Sequence, residues 1–490
     1  MIPHLLPEYY YPWMVDIQLN KGEKMLIRLD TLRERLHGVV LNKGEQGYDI
    51  EGLQDQLDNL QDSYDEFVNF TKKLLSLKIR PDWSYVEPSS INDILNEMDP
   101  SRPKDQIKKV DIEDSSKRVE AAFIASLCGC MLGKPLEAMF TGHEIMKALK
   151  EINQWPMTDY ITKEIENVLP RVHRSFPETA KEYINYVAPD DDINYTIMGM
   201  LILEKFGSDF THENMKELWI HHLPIGTTFG PENTKLLKSG IDLKIDGMDR
   251  STFLEKGGNG PRNILPSENP EDLIDVFNDV LNPGDELCGA AIRADAYGYA
   301  YPGNPAKASE LAWRDASFTH NRTGVYGTMF IAAAISCAQI MEDRDEIIET
   351  ALKFVPQKSR FYERVSVCFK DVRESNSWEE AYDKISDKYG EYGHCRIYQE
   401  IGMLINTLNF AEDVGHGICI QVSQGADTDS FGATSGSLLG AYFGPGFLDD
   451  KWVEPFNDDI HTGLAWFFER AISKLAKRMS NLPRMTNSLK

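Results

Sequence analysis

Two short acidic runs, Asp190-Asp191-Asp192 and Asp427-Thr428-Asp429, carry the residue types best suited to chemistry in this chain. Their donors are all oxygen, and Thr428 and Ser430 add hydroxyls beside the second run. Oxygen donors hold hard divalent cations such as Mg²⁺, Mn²⁺ or Ca²⁺ better than they hold zinc. A cation held this way polarises bonds and acidifies bound water, which is the chemistry of metal-assisted hydrolysis. An aspartate at a helix start also caps free N–H groups. One acid suffices for that, and Asp190 opens a run of three ahead of the apolar stretch INYTIMGMLILEKFG.

The second run sits in a glycine-flanked turn, GADTDSFG, behind the apolar segment Gly417 to Val422. That setting predicts burial. Two carboxylates at ~4 Å repel by about 4 kcal/mol at an effective dielectric of 20, so a buried pair needs a counter-charge. No Lys or Arg lies between Arg396 and Lys451, and the expected counter-charge is a bound cation. Two further segments matter by their company. In GCMLGKPLE, residues 129–137, Gly133 and Pro135 break a helix and Glu137 follows the break. In residues 288–327, Arg293 lies two before Asp295, and Ser317, His320, Asn321 and Arg322 precede an apolar helix. A helix N-terminus there could hold an anion, or the loop could simply cap its own helix. No HExxH, GxxxxGK[ST], GxSxG or strand-linked GxGxxG occurs.

The elements that must position these residues read as helices. Apolar periodicity marks Ala121–Leu132, Ile193–Phe206, Asn214–His222, Ala306–Arg314, Val325–Met341 and Ile460–Met479. Small residues recur every four positions at Ala121, Ala125, Gly129 and Gly133, and again at Gly432, Gly436 and Gly440. That spacing keeps them on one helix face. Interior glycine costs about 1 kcal/mol against alanine, so the repetition predicts close backbone approach between helices. Near the N-terminus, residues 51–78 form an amphipathic pattern ended by Pro81, and residues 85–110 read as a proline-punctuated linker. The expected organisation is an all-α chain: a helical extension and linker over 1–110, then a catalytic domain over 111–490.

Composition narrows the function classes. The 490 residues carry a formal charge of −25, which argues against a nucleic-acid or anionic-membrane surface. The seven cysteines are scattered without a CxxC pair and read as buried free thiols in a reducing compartment. The N-terminus lacks the layout of a signal peptide, no apolar run reaches 18 residues, and the cytoplasm is the expected location.

In their order along the chain, the four segments resemble the ADP-ribosylglycohydrolase family. Gly129 to Glu137 is similar to that family's Gly-Asp-Ala-x-Gly-x-Pro-x-Glu helix end, with Cys130 in the place of Asp. Asp190 to Ile193 fall on its Thr-Asp-Asp-Thr stretch, Gly289 to Arg293 on its Gly-x-x-x-Arg segment, Thr319-His320 on its Ser/Thr-His pair, and Gly425 to Ser430 on its Gly-Gly-Asp-Thr-Asp-Thr. Coverage runs from about residue 115 to 480. The resemblance implies a compact, orthogonally packed helical domain around two divalent cations, Mg²⁺ or Mn²⁺. It implies Glu137, Asp190, Asp191, Asp192, Asp427, Asp429 and Ser430 as the ligand candidates, with Glu137, Asp191 and Asp427 as the catalytic acids. Gly289, Arg293, Asp295, His320 and Asn321 are the implied substrate contacts. The implied activity is hydrolysis of an N- or O-glycosidic bond to ribose, with a small-molecule or protein-linked ADP-ribosyl compound as substrate. Asp190 and Ile193 replace both threonines of the pattern. Those departures keep two alternatives open: a glycoside or nucleoside hydrolase on another substrate, and a silent member that binds ADP-ribose.

Overall fold

The computed structural model describes residues 29–137, 139–241, 282–392 and 394–487. It divides into two compact units, Met1–Ser84 with Thr228–Asp285, and Tyr85–Thr227 with Glu286–Lys490. Among the described residues the regular structure is helical, and extended pairing is confined to isolated bridges.

In the smaller unit, the amphipathic stretch after Glu51 is two helices, Leu53–Asp58 and Tyr64–Leu75, rather than one. Asn59 ends the first and Ser63 opens the second. Short polar side chains in Asn59, Asp62 and Ser63 compete with the helix for backbone hydrogen bonds. Both helices pack on a third, Leu29–Glu45, through Leu32, Leu36, Leu57, Phe67 and Phe70.

The larger unit begins with the segment expected as a linker. Residues 91–97 form a helix capped by Ser90, whose hydroxyl accepts from Asp93 N. Val86 N donates to Lys358 O, Gln357 N to Glu97 O, and Ile107 N to Gly303 O. The prolines interrupt its helical structure, but its backbone is hydrogen-bonded to the unit that it opens.

At the centre of that unit the helices Ile112–Gly133 and Thr428–Phe443 lie in backbone contact. The two small-residue stripes face one another, as their spacing requires. A Cβ on Gly129 would stand 2.0 Å from Gly432 O, and one on Gly436 would stand 2.2 Å from Ala125 O. No side chain can be inserted there without parting the helices. Gly432→Leu is therefore expected to cost more than about 3 kcal/mol, the upper end of the overpacking range. Chemical denaturation of the variant reads this directly, and an unchanged midpoint would refute the packing argument.

The Ile112–Gly133 helix with its following turn is long and apolar enough to span a membrane by composition, yet 83% of its most apolar 18-residue window is buried inside the molecule. Asp191–Phe206 and Arg322–Ala338 are also buried along most of their length. The helix expected over 460–479 starts only at Ile472. Val187 bridges to Ile460 and Asp459 to Ala471, and the chain between them runs as a non-helical loop with a turn at 465–466. Trp466 and Phe468 stand 74% and 80% exposed, so the apolar pattern of that stretch is not a core-facing stripe.

Candidate functional site

The contact between the two central helices decides where the acids go. Gly133 ends the first helix against the start of the second: its absent Cβ leaves room for Thr428 O, 2.0 Å from where a Cβ would be. Thr428 Oγ1 donates to Gly133 O at 2.9 Å and closes the junction. The chain then turns through Lys134–Leu136, with Pro135 at the start of the turn, and delivers Glu137. On the other side, Gly425 and Ala426 adopt φ of +76° and +63°. Ala426 N donates to Phe140 O at 2.9 Å, so the Asp427 turn is tied to the chain just beyond Glu137. Asp427 stands at the N-cap of its helix but makes no side-chain cap bond. Its carboxylate is free of that structural duty.

Asp190 does cap its helix, its side chain accepting from Asp192 N at 2.9 Å through Oδ1. Its other oxygen turns to a residue absent from every expectation above. Lys134 Nζ lies 2.5 Å from Asp190 Oδ2, 2.6 Å from Asp429 Oδ2 and 2.8 Å from Glu137 Oε2. Three acids from three distant segments thus meet at one buried ammonium. A bound cation is therefore not the only counter-charge of the Asp427 turn: no lysine or arginine lies near it in sequence, but Lys134 arrives across the central helix contact. The only sequence signal was a lysine between Gly133 and Pro135.

Asp427 and Asp429 are buried, as the apolar segment before them predicts, and Asp190 and Asp192 are buried with them. Oxygens of Glu137, Asp427 and Asp429 gather within 4.8 Å of one another, as do ligand atoms of Cys130, Asp190 and Asp192. Asp191 and Glu137 are partly exposed. Ser430 is buried beside Asp429, and its N–H donates to Asp429 Oδ1 at 3.0 Å.

The charge balance is strained. Burial would depress the Lys134 ammonium, but Asp190, Asp429 and Glu137 outweigh it and keep the group protonated. For Asp429 burial opposes ionisation, and Lys134 overcomes it and holds the carboxyl below its ordinary range. The other acids go the opposite way. Burial first, then Asp429, lifts Glu137 well above its ordinary value. Burial and Asp190 lift Asp192 and push Asp191 up to about 8. Burial and Cys395 lift Asp427. One ammonium does not neutralise six carboxyls.

His173 was also missed. Its Nε2 stands 3.5 Å from Glu137 Oε2, and its Nδ1 pairs with Ser175 Oγ at 2.7 Å. Burial, reinforced by Lys134, lowers it to about 4, so it is neutral at physiological pH. A lone histidine in a polar stretch carries no sequence signal.

The 288–322 residues are placed differently from the acids. Arg293 is 1% exposed. It donates to Asp315 Oδ1 at 2.5 Å, Thr319 Oγ1 at 2.7 Å and Gly289 O at 3.0 Å, with its guanidinium over Tyr195 and Trp219. It pins the 288–293 turn from behind. Asp295 is buried, bonded to Ser437 Oγ, and lifted by burial to about 7. His320 is buried with Nδ1 at 2.8 Å from Thr319 Oγ1. Asn321 is exposed at the N-cap of Arg322–Ala338. Gly289 follows Cys288, whose thiol donates to Asp427 Oδ2 at 3.1 Å, so the turn does reach the acid cluster.

No curated protein matches the sequence. A solved structure titled "ADP-ribosylglycohydrolase-related protein complex" superimposes with a TM-score of 0.45 and 16% identity, covering 76% of this chain and 99% of that one. The sequence profile described as ADP-ribosylglycohydrolase matches residues 111–486, the stretch that contains every acid of the cluster. The chain therefore belongs to the ADP-ribosylglycohydrolase family.

Proposed function

We propose that the protein hydrolyses an N- or O-glycosidic bond to ribose in an ADP-ribosyl compound, using two divalent cations, Mg²⁺ or Mn²⁺. The observation that carries this reading is the convergence of Glu137, Asp190 and Asp429 on Lys134, with Asp192 and Asp427 buried alongside. The donor set fits such cations. Asp192 Oδ1 is buried without a hydrogen-bond partner, and the acids exceed the positive charge of the chain around them. Glu137, Asp427 and Asp429, with Ser430 beside them, would hold one ion. Asp190, Asp191 and Asp192 would hold the other, with Lys134 standing between. The cations supply Lewis acidity toward ribose hydroxyls and water. Glu137 is the acid we assign to accept a proton from the attacking water: it is partly exposed, and burial has raised its proton affinity. Asp191 and Asp427 complete the acid set around the reacting bond. Gly289 and Asn321 are proposed to face the substrate, with Arg293, Asp295 and His320 setting the shape of that wall.

Turnover of ADP-ribosyl substrates with Mg²⁺ should vanish with EDTA and in Asp427→Ala. Activity indifferent to both would refute the metal role. Release from a nucleoside or another glycoside, with none from any ADP-ribosyl compound, would move the substrate to the second class suggested by Asp190 and Ile193.

Stability should follow the same acids. Carboxyls with raised folded values bind more protons when folded than when unfolded, so they stabilise at low pH and that contribution is lost as pH rises through them. Between the ordinary carboxylate range near 4 and about 8 for Asp191, the metal-free protein is expected to lose melting temperature steadily. Mg²⁺ at ~100 times its Kd should return about 2.7 kcal/mol, and a fixed Mg²⁺ concentration should return more at pH 8 than at pH 5, because ligands bind as carboxylates. A metal-free melting temperature flat across that window would contradict the charge balance.

A further inference from the structure

Beside the acid cluster lies a second set of donors of different chemistry. Cys288 Sγ stands 3.1 Å and Cys395 Sγ 3.4 Å from Asp427 Oδ2, and the three ligand atoms lie within 4.8 Å of one another. The two cysteines come from separate segments joined by the Leu287–Arg396 bridge, with Cys288 N donating to Cys395 O at 3.1 Å. Both thiols are free. The His394 imidazole interacts with the Cys395 sulfur, and its Nδ1 is buried without a hydrogen-bond partner. A tetrahedral ion with sulfur at ~2.3 Å and oxygen at ~2.0–2.2 Å places neighbouring S and O ligands about 3.5 Å apart. The observed separations are close to those edges before any ion draws the ligands into place.

We propose that Cys288, Cys395 and Asp427, with His394 beside the Cys395 sulfur, form a site for a borderline-soft transition-metal ion of the zinc class, separate from the hard-cation cluster but sharing Asp427 with it. Thiolate donors select such ions over Mg²⁺, which the neighbouring all-oxygen cluster suits. The two sites compete for one carboxylate. An ion bound to the sulfurs withdraws Asp427 Oδ2 from the acids around Lys134. The site stands on the sulfur geometry alone and does not depend on the substrate proposed above.

The test is a titration of the reduced, full-length protein with Co²⁺, followed by displacement with Zn²⁺. One equivalent should produce a thiolate-to-Co²⁺ charge-transfer band that Zn²⁺ abolishes and excess Mg²⁺ leaves in place. Cys395→Ser and, separately, Cys288→Ser should lose the band, while Cys128→Ser, a buried thiol elsewhere in the core, should keep it. Circular dichroism confirms that each variant is folded. Asp429→Ala should retain the band whatever it does to turnover, which separates this proposal from the glycohydrolase reading. Absence of the band in reduced protein, or its persistence when both serine variants are combined, overturns the site. So does a mass shift showing that Cys288 and Cys395 pair as a disulfide while the reduced form binds no Co²⁺.

Discussion

Asp429→Ala is expected to lower turnover of an ADP-ribosyl substrate by at least ~10³-fold, about 4 kcal/mol of transition-state stabilisation, with the fold retained. Asp429 is the acid through which the cluster is joined. Its Oδ2 lies 2.6 Å from Lys134 Nζ, its Oδ1 accepts from Ser430 N at 3.0 Å, and it shares a donor group with Glu137 and Asp427. Alanine removes a ligand and leaves the ammonium beside Asp190 and Glu137 unopposed on that side. The fold should survive, because the variant relieves repulsion among the remaining acids and the helix contact does not use this side chain. Single-turnover measurement at saturating Mg²⁺ distinguishes loss of chemistry from loss of affinity. A decrease of less than tenfold would remove Asp429 from the reacting centre and with it the proposed role of the second acidic run.

Lys134→Met should have the largest effect on stability. Removing one partner of a buried ion pair costs about 3–5 kcal/mol, because the other charges stay buried without compensation. Here three carboxylates lose their shared ammonium. In chelator at neutral pH the melting temperature should fall by roughly 5–10 °C, given the size of the unit. Two conditions should recover it: acidification, which lowers the negative charge left in the cluster, and divalent cation, which replaces the lost charge. The variant should therefore show a larger Mg²⁺-dependent rise in melting temperature than the unsubstituted protein. Methionine keeps the length and apolar stem of lysine, so packing loss is a minor contributor. An unchanged melting temperature in chelator would mean that the acids are already protonated around Lys134.

Much of this molecule was readable before any coordinates. Helical periodicity located the stretches that became Asp191–Phe206, His212–His222 and Arg322–Ala338, because core-facing side chains must repeat with the helix. Glycines at every fourth position announced the contact of Gly129 with Gly432 and of Ala125 with Gly436. The apolar flanks of Asp427 and Asp429 announced their burial. Local patterns misled where the same residues serve two ends. Residues 460–471 are apolar enough for a helix but form a loop, with Trp466 and Phe468 outward, and the proline-rich 85–110 stretch is bonded along the larger unit.

By itself, then, the sequence determined the all-helical class, the family and the acids that form the cluster, since each of these is written in residue type and spacing along one segment. Only the tertiary structure decided what neutralises those acids and what lies beside them. Lys134 reaches Asp429, and the Cys288 and Cys395 sulfurs reach Asp427, across gaps in the chain that no local pattern spans. Charge and ligand complementarity depend on distance in space, and here that distance is set by two glycine-faced helices packed in backbone contact.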